Sequence, residues 1–124
     1  MSNVDRATAF FQAWERCDLD AILAATHPDI FYHNIPMDPI QGHDGLRAFA
    51  EPFLLGAEKC DWTIHNIAET PTGAVLSERT DAFHMKTGKI ISVRVMGVME
   101  FDSSGKISAW RDYFDLTEFQ SQMS

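Results

Sequence analysis

The stretch from Gly105 to Asp115 reads Gly-Lys-Ile-Ser-Ala-Trp-Arg-Asp-Tyr-Phe-Asp, and it predicts a β-strand with an acid in its middle. Alternation places Ser108, Trp110, Asp112 and Phe114 on one face of this strand. A carboxylate among apolar side chains is costly unless it is paired or protonated. Asp112 is therefore either a satisfied structural acid or a catalytic one, and this stretch alone favours the structural role.

Length and charge limit the class of protein. A chain of 124 residues has room for one domain, residues 1–124, with a single substantial core. The formal net charge of -8 disfavours nucleic acid and anionic membrane surfaces as partners. Cys17 and Cys60 have neither metal-ligand spacing nor the number needed for a disulfide framework, and charged residues interrupt the N-terminal apolar positions. These features predict a soluble, cytoplasmic protein without a membrane-spanning segment.

Apolar residues at helical spacing predict two helices at the start of the chain. Ser2 or Asn3 can cap the first helix, which is expected to end near Cys17. Asp18 can cap a short second helix that ends before Pro28. Both helices are interpreted as parts of the core.

A short strand is predicted next, from Ile30 to Asn34. Its alternation places Tyr32 and Asn34 on one face, and Phe31 and His33 on the other. A phenol and an amide two residues apart can both reach one small molecule, such as a water. On its own, such a pair is more often ordinary strand and turn chemistry.

A third helix is predicted after Gly42, and Gly56 can end it. Pro52 lies within its span and is expected to kink or shorten it. His43, near the helix start, is expected in solvent. The buried stripe consists of Leu46, Phe49 and Phe53.

From Cys60 onward, alternation replaces the helical period and predicts an antiparallel meander of strands near 60–68, 74–85 and 90–101, followed by the strand that carries Asp112. Asp115 and Glu118 form a capping box for a last short helix. Helices followed by a run of strands indicate an α+β fold. The expected architecture is a cone-shaped, curved, mixed and mainly antiparallel sheet, packed against the N-terminal helices and enclosing a cavity.

The 74–85 strand carries charged residues on an otherwise mainly apolar face, which comprises Val75, Ser77, Arg79, Asp81 and Phe83. If this face is concave, Arg79 and Asp81 lie in the cavity and need each other and a further acid for neutralisation. If the opposite face packs inward, the charges are solvated. Alternation alone leaves both arrangements open.

Three segments together resemble the limonene-1,2-epoxide hydrolase family, in their order as well as their separations. They are Tyr32-His33-Asn34-Ile35-Pro36, Glu78-Arg79-Thr80-Asp81 and Trp110-Arg111-Asp112-Tyr113-Phe114-Asp115. Gly97-Val98 and residues 116–119 are also similar to that family. The resemblance implies the nuclear-transport-factor-2-like (cystatin-like) α+β barrel, shared with SnoaL-like polyketide cyclases and ketosteroid isomerases.

The resemblance also implies a catalytic network without cofactor or metal. In it Asp112 is the general base, Asp81 the acid and Arg79 the cation that links them, while Tyr32 and Asn34 help to hold a water. The chemistry agrees with these roles, because opening an epoxide in water needs proton removal from the nucleophile and proton donation to the ring oxygen. The implied function is one-step hydrolysis of an apolar, cyclic or terpene-like epoxide to a vicinal diol.

Side-chain character extends this prediction to the substrate pocket and to a partner. The expected pocket lining is apolar and consists of Val93, Val95, Met99, Phe101, Phe114, Phe119 and Phe83. Arg94, Met96 and Val98 share the opposite face of their strand and predict a homodimer interface. The N-terminus looks shorter than in characterised family members, so a lid over the cavity is expected to be incomplete or to come from a partner.

Two other functions stay open at this stage. An isomerase or cyclase would use Asp112 to remove a proton from carbon, with Asp81 or Tyr32 stabilising an enolate. A non-catalytic binding module is also compatible with the fold. A metal site is disfavoured, because the five histidines show no paired ligand spacing.

Overall fold

The computed structural model describes residues 1–123, which form an α+β arrangement of helices and one mixed sheet. The helices are α1 (Asn3–Glu15), α2 (Leu19–Ala24), α3 (Gly42–Gly56) and α4 (Leu116–Met123). The strands are β1 (Thr26–Asn34), β2 (Ile40–Gln41), β3 (Ala57–Glu69), β4 (Val75–Met85), β5 (Ile90–Phe101) and β6 (Ile107–Tyr113). In this part of the chain, no helix has both the length and the apolar character that crossing a membrane requires.

The strands form a curved sheet in the order β2-β1-β6-β5-β4-β3. Strands β3 to β6 make the predicted antiparallel meander, and β1 pairs with β6 in parallel. Helix α1 packs against β3 and α3 packs against β1, so the helices cover the inner side of the sheet. The predicted α+β fold with a mixed, mainly antiparallel sheet is confirmed.

The first two helices begin at the predicted caps. Ser2 Oγ accepts a hydrogen bond from the Asp5 backbone N–H at 3.1 Å, and the Asp5 carboxylate accepts one from the Ser2 N–H at 3.2 Å. Asp18 Oδ1 accepts from the Ala21 N–H at 3.1 Å. Between the helices, Cys17 adopts a left-handed backbone with φ 56°, and its Sγ lies 3.6 Å from Sγ of Cys60.

Strand β1 begins earlier than predicted, at Thr26 instead of Ile30. A shift of register against β6 between Thr26 and Phe31 gives Pro28 a place where no ladder hydrogen bond is required. The early start brings Thr26 beside the beginning of α3. The prediction that His43 lies in solvent is therefore wrong: its Nε2 is 2.9 Å from Thr26 Oγ1 and 3.1 Å from the Thr26 carbonyl oxygen.

Helix α3 continues through Pro52 to Gly56, so the proline does not cut it short. Of the predicted stripe, Leu46 is buried in the core, together with Ala50 and Leu54. Phe49 and Phe53 are only half-buried. Both border the cavity described below.

The inward face of β4 is the one that carries the charges. Val75, Ser77, Arg79, Asp81 and Phe83 are all buried, whereas Leu76 on the other face is 41 % exposed. On β5, the face that carries Val93 and Val95 is likewise buried. The sheet therefore directs Arg79 and Asp81 into the interior, where each needs a partner.

Candidate active site

Strands β1, β4 and β6 bring the five predicted polar residues together on the inner face of the sheet. Arg79 and Asp81 come from β4, Asp112 from β6, and Tyr32 and Asn34 from β1. Pairing in register sets Asn34 beside Asp112 across the β1–β6 ladder. Each of the five side chains belongs to a residue that is at most 5 % exposed.

The guanidinium of Arg79 joins the two acids. Its Nε and Nη2 donate to the two carboxylate oxygens of Asp81 at 3.0 and 2.9 Å. Nη2 also donates to Asp112 Oδ2 at 2.8 Å, and Nη1 lies 3.4 Å from Asp112 Oδ1. Ser77 Oγ accepts the remaining short bond, from Nη1 at 2.9 Å. Such forked contacts are what a planar guanidinium provides and an ammonium group does not.

Trp110 contacts both Asp112 and Tyr32. Trp110 Nε1 donates to Asp112 Oδ1 at 2.8 Å. The Trp110 ring stacks on Tyr32 with 4.3 Å between centroids and 14° between planes. Tyr32 Oη in turn donates to Asn34 Oδ1 at 3.2 Å. The side chains of Tyr32, Asn34 and Asp112 are thus connected through the buried ring of Trp110.

Gly97 makes room for the cluster. It lies between Ser77 on β4 and Asp112 on β6 in the ladders. A Cβ at this position would collide with Asp112 Oδ1 and would lie 2.9 Å from Arg79 Nη1. The close approach of Arg79 to Asp112 therefore requires a glycine here.

Burial and pairing shift the pKa in opposite directions for Asp81 and for Arg79. Burial raises the pKa of Asp81 to about 6, although the charge and hydrogen bonds of Arg79 lower it. Burial lowers the pKa of Arg79, but Asp112 and Asp81 more than offset this, and the net shift is upward. Burial also raises the pKa of Tyr32 well above its ordinary value. The cluster therefore favours one retained proton beside a permanent cation, which gives it both an acid and a base.

The acids lie at one end of a cavity of about 50 Å³. Its polar lining is formed by Tyr32, Asn34, Asp81 and Asp112. Its apolar lining is formed by Trp14, Met37, Phe49, Phe53, Trp62, Phe83, Val93, Val95, Phe114 and Phe119. A small apolar chamber with few convergent polar groups is the usual form of a small-molecule site.

Five of the seven predicted lining residues, Val93, Val95, Phe114, Phe119 and Phe83, border this cavity. Met99 and Phe101 do not, and their prediction is corrected. Met99 is packed in the core at 2 % exposure, and Phe101 borders a separate surface groove near Phe10. Both lie beyond Gly97 on β5, opposite Trp110 and Ile107, where the inner face meets α1 instead of open space.

Other contributors were not singled out from the sequence as site residues. Ser77 and Trp110 could have been found, because each shares an alternating face with an acid. The remaining lining residues gave no such signal, since an apolar side chain in the core and one beside a cavity look alike in a sequence. They are Trp14, Met37, Phe49, Phe53 and Trp62. Within residues 1–123, no three His, Cys, Asp or Glu side chains are grouped so that they could hold a metal ion.

Comparison with known proteins places this geometry in a family. The model of the limonene-1,2-epoxide hydrolase catalytic domain matches residues 1–124. Epoxide hydrolase EphG of Mycobacterium tuberculosis is 34 % identical over 108 residues, which are 87 % of this chain and 70 % of that protein.

Solved structures agree with this relationship. An LEH-like epoxide hydrolase of M. tuberculosis aligns with a TM-score of 0.81 and 31 % identity, covering 97 % of this chain and 87 % of that one. A putative SnoaL-like polyketide cyclase from Shewanella denitrificans aligns with a TM-score of 0.83, covering 98 % and 96 %, but at 16 % identity it supports the fold alone. With the family model spanning the whole chain and the buried Asp-Arg-Asp cluster in place, the chain belongs to the limonene-1,2-epoxide hydrolase family.

Proposed function

We propose that this protein is a cofactor-independent epoxide hydrolase, which adds water to an apolar cyclic epoxide and gives a vicinal diol in one step. Family membership supports epoxide hydrolysis in general. The observation that carries the finer mechanism is the buried Asp81–Arg79–Asp112 cluster at the end of an apolar cavity.

Asp112 acts as the general base in this mechanism. A water held by Tyr32 and Asn34, which both border the cavity, gives its proton to Asp112 while its oxygen attacks an epoxide carbon. Trp110 and Arg79 hold the carboxylate in place through both of its oxygens. Because these donors are fixed in advance, the base needs little reorganisation as the reaction proceeds.

Asp81 acts as the acid. The carbon–oxygen bond of the epoxide breaks as the water oxygen bonds to carbon, and the proton of Asp81 passes to the ring oxygen. The raised pKa of Asp81, about 6, keeps this proton available in mildly acidic solution. One proton then moves from Asp112 to Asp81, directly or through solvent, and restores the starting state.

A single turnover in oxygen-18 water tests the one-step route. Direct attack by water places the label in the diol and leaves every aspartate unlabelled. If a carboxylate attacked the epoxide instead, hydrolysis of the resulting ester would place oxygen-18 in that carboxylate. Mass spectrometry of peptides containing Asp81 or Asp112 distinguishes the two, and label in either residue refutes the general-base role.

An isomerase or cyclase reaction is the competing proposal for the same cluster. Proton abstraction from carbon needs one base and a donor for an enolate oxygen. Such a reaction gives no role to a guanidinium held between two acids. The position of Arg79 between Asp81 and Asp112 therefore supports water activation more directly. Formation of a diol from an epoxide, with no exchange of carbon-bound hydrogen for solvent deuterium, separates the two reactions.

We also propose that two copies associate through the outer face of the sheet. On that face Leu76, Met96 and Tyr113 are 41, 52 and 48 % exposed. Met96 pairs with Tyr113 of β6, and Leu76 of β4 pairs with Val98, two residues from Met96 on β5. Arg94 pairs there with Glu78 at 3.5 Å, so the face carries both signs of charge beside its apolar centre. A second copy offers the same mixture in a self-complementary form.

A further inference from the structure

Arg79 divides its hydrogen bonds unequally between the two acids. Asp81 accepts two short bonds, from Nε at 3.0 Å and from Nη2 at 2.9 Å. Asp112 accepts one short bond, from Nη2 at 2.8 Å, while its Oδ1 lies 3.4 Å from Nη1, which makes a much weaker contact. The cation therefore holds Asp81 by a fork and Asp112 by a single short bond.

Ser77 lies on the other side of Nη1 from Asp112. Pairing in register sets Ser77, Gly97 and Asp112 side by side across β4, β5 and β6. Gly97 has no side chain, and Nη1 lies 2.9 Å from the place that its Cβ would take. Nη1 thus occupies the space between Ser77 and Asp112, and it donates to Ser77 Oγ at 2.9 Å.

Ser77 can influence the site only through Arg79. Its residue is 4 % exposed, and it does not border the cavity, so it is not placed to contact a substrate. The Asp112 oxygen that Nη1 fails to reach closely, Oδ1, accepts from Trp110 Nε1 at 2.8 Å instead. The position of the guanidinium between the two acids therefore depends on the bond to Ser77.

Loss of the Ser77 hydroxyl would leave one N–H of a fully buried guanidinium without its acceptor. An unpaired buried donor is costly, and Asp112 Oδ1 is the other acceptor that Nη1 already faces. A turn toward it would create a second fork, with two charge-assisted bonds where there is now one. Such a fork stabilises the negative charge of a carboxylate and opposes its uptake of a proton.

We propose that Ser77 is a positioning residue of this site. Its hydroxyl holds Nη1 away from Asp112, so that the guanidinium forks onto the acid, Asp81, and leaves the base, Asp112, able to take a proton from water. The inference rests on the proposed function, because it concerns how one cation is shared between the acid and the base of that mechanism.

Kinetics of Ser77→Ala provide the first test, with cyclohexene oxide and limonene oxide as substrates. We expect kcat to fall by about 10-fold to 100-fold, because small displacements at a reacting centre have large effects. KM should stay within about 2-fold, because Ser77 does not border the cavity. Ser77→Cys has a similar volume but only a weak acceptor, so it should show the same loss, and it serves if Ser77→Ala does not fold.

Ser77→Thr keeps the hydroxyl and should recover most of the lost kcat. Ser108→Ala is the matched control, because the Ser108 hydroxyl donates to the Glu100 carbonyl at 3.2 Å and not to the cluster. It should leave kcat unchanged. The role of the Ser77 hydroxyl would be overturned by an unchanged kcat in Ser77→Ala and Ser77→Cys, by an effect on KM alone, or by an equal loss in Ser77→Thr.

A crystal structure of Ser77→Ala supplies a readout that does not depend on turnover. The distance from Arg79 Nη1 to Asp112 Oδ1 should shorten from 3.4 Å to about 2.9 Å, while both bonds to Asp81 remain. An unchanged distance would contradict the proposal. If the unmodified protein hydrolyses neither epoxide, the proposed function fails, while this distance still decides whether Ser77 holds the guanidinium in place.

Discussion

Arg79 is fully buried, and its burial is tolerable only because its donors are occupied. Two carboxylates and one hydroxyl accept from it, and its Cζ lies 4.6 Å from the ring centroid of Phe11 and 5.3 Å from that of Trp62. Removing one partner of a buried charge pair leaves an uncompensated charge. Asp81, Arg79 and Asp112 are therefore expected to behave as one unit in catalysis.

The first prediction concerns this unit. Asp112→Asn and Asp81→Asn should each lower kcat by about 10³-fold or more, and the double variant should be scarcely worse than either single one, because each group needs the other. Steady-state kinetics of all three variants, with circular dichroism to show that they fold, provide the measurement. Multiplicative losses would mean that the acids contribute independently.

The second prediction is a dependence on pH. Asp81 keeps its proton in the folded state up to about pH 6, whereas in the unfolded chain it is lost near its ordinary pKa of 3.8. The folded state binds more protons between these values, so Asp81 makes the free energy of unfolding decrease as pH rises through this window. Because the proposed mechanism uses the protonated form of Asp81, kcat/KM should fall above about pH 6.

Urea denaturation and initial rates, both recorded from about pH 4 to about pH 8, check the two parts of this prediction. Asp81→Asn should remove the part of the decrease in unfolding free energy that comes from the titration of Asp81. Glu118→Gln is a control for an exposed acid on α4 and should leave the profile as it is. A rate that keeps rising from pH 6 to pH 8 would contradict the role of Asp81 as the acid.

The third prediction concerns Gly97. Gly97→Ala should lower kcat by about 10²-fold, because the added methyl group displaces Asp112 from Arg79 and small misplacements at a reacting centre have large effects. Gly88→Ala is an informative comparison: no atom lies within 4 Å of its Cβ position, but its φ of 94° is strained for alanine. That variant should lose stability and keep its activity. Equal kcat for the two variants would refute the crowding argument.

At the scale of single elements, alternation correctly predicted which residues share a face of a strand. It did not predict how far along a strand the cavity extends. It placed Arg79 with Asp81, and Val93 with Val95, on common faces, because a strand has a period of two along its whole length. It could not say where along β5 the cavity ends, which depends on α1 and explains why Met99 and Phe101 were misplaced. The bulge at Pro28, and with it the partner of His43, also depends on pairing between distant segments.

The fourth prediction concerns α4, which has no buried residue and yet brings Phe119 to the cavity. Gln122 attaches this helix to β5: its Nε2 donates to the Ser92 carbonyl at 2.9 Å, and its Oε1 accepts from the Ser92 N–H at 2.8 Å. Gln122→Ala removes both bonds, and at about 1 kcal/mol each we expect kcat/KM to fall by up to roughly 30-fold. Hydrogen exchange of residues 116–123 should become faster.

The neighbouring exposed Gln120 supplies the control for α4. Gln120→Ala changes the same residue type on the same helix and should alter neither the kinetics nor the exchange rates. Identical behaviour of the two variants would mean that the bonds to Ser92 do not hold α4 over the cavity.

At the scale of the whole molecule, the fifth prediction is a homodimer through the outer face of the sheet. Met96→Glu places a charge in the middle of that face and should convert the dimer to a monomer, as measured by analytical ultracentrifugation at micromolar concentration. Leu55→Glu replaces an apolar residue that is 66 % exposed on α3, away from this face, and should leave the dimer intact. A monomeric unmodified protein at that concentration would remove the proposal.

The α+β class was accessible from the sequence pattern, because helices precede the strands. The polar cluster was expected only through the family resemblance, since alternation left open which face of β4 points inward. The parallel pairing of β1 with β6 brings residues near the two ends of the chain together, and no local pattern encodes it. The volume of the cavity was equally inaccessible. It depends on how rings from α1, α3, α4 and three strands fit together, and a sequence gives only their number.

The Asp-Arg-Asp cluster and much of the cavity's apolar lining belong to different secondary-structure elements. Every group of the Asp-Arg-Asp cluster is carried by a strand, whereas Phe49 and Phe53 come from α3 and Phe119 comes from α4. Substitutions in those two helices can widen or narrow the chamber without touching the ladder that holds the acids. During evolution, a few point mutations in these helices could therefore change which epoxide is accepted, while the catalytic cluster stays the same.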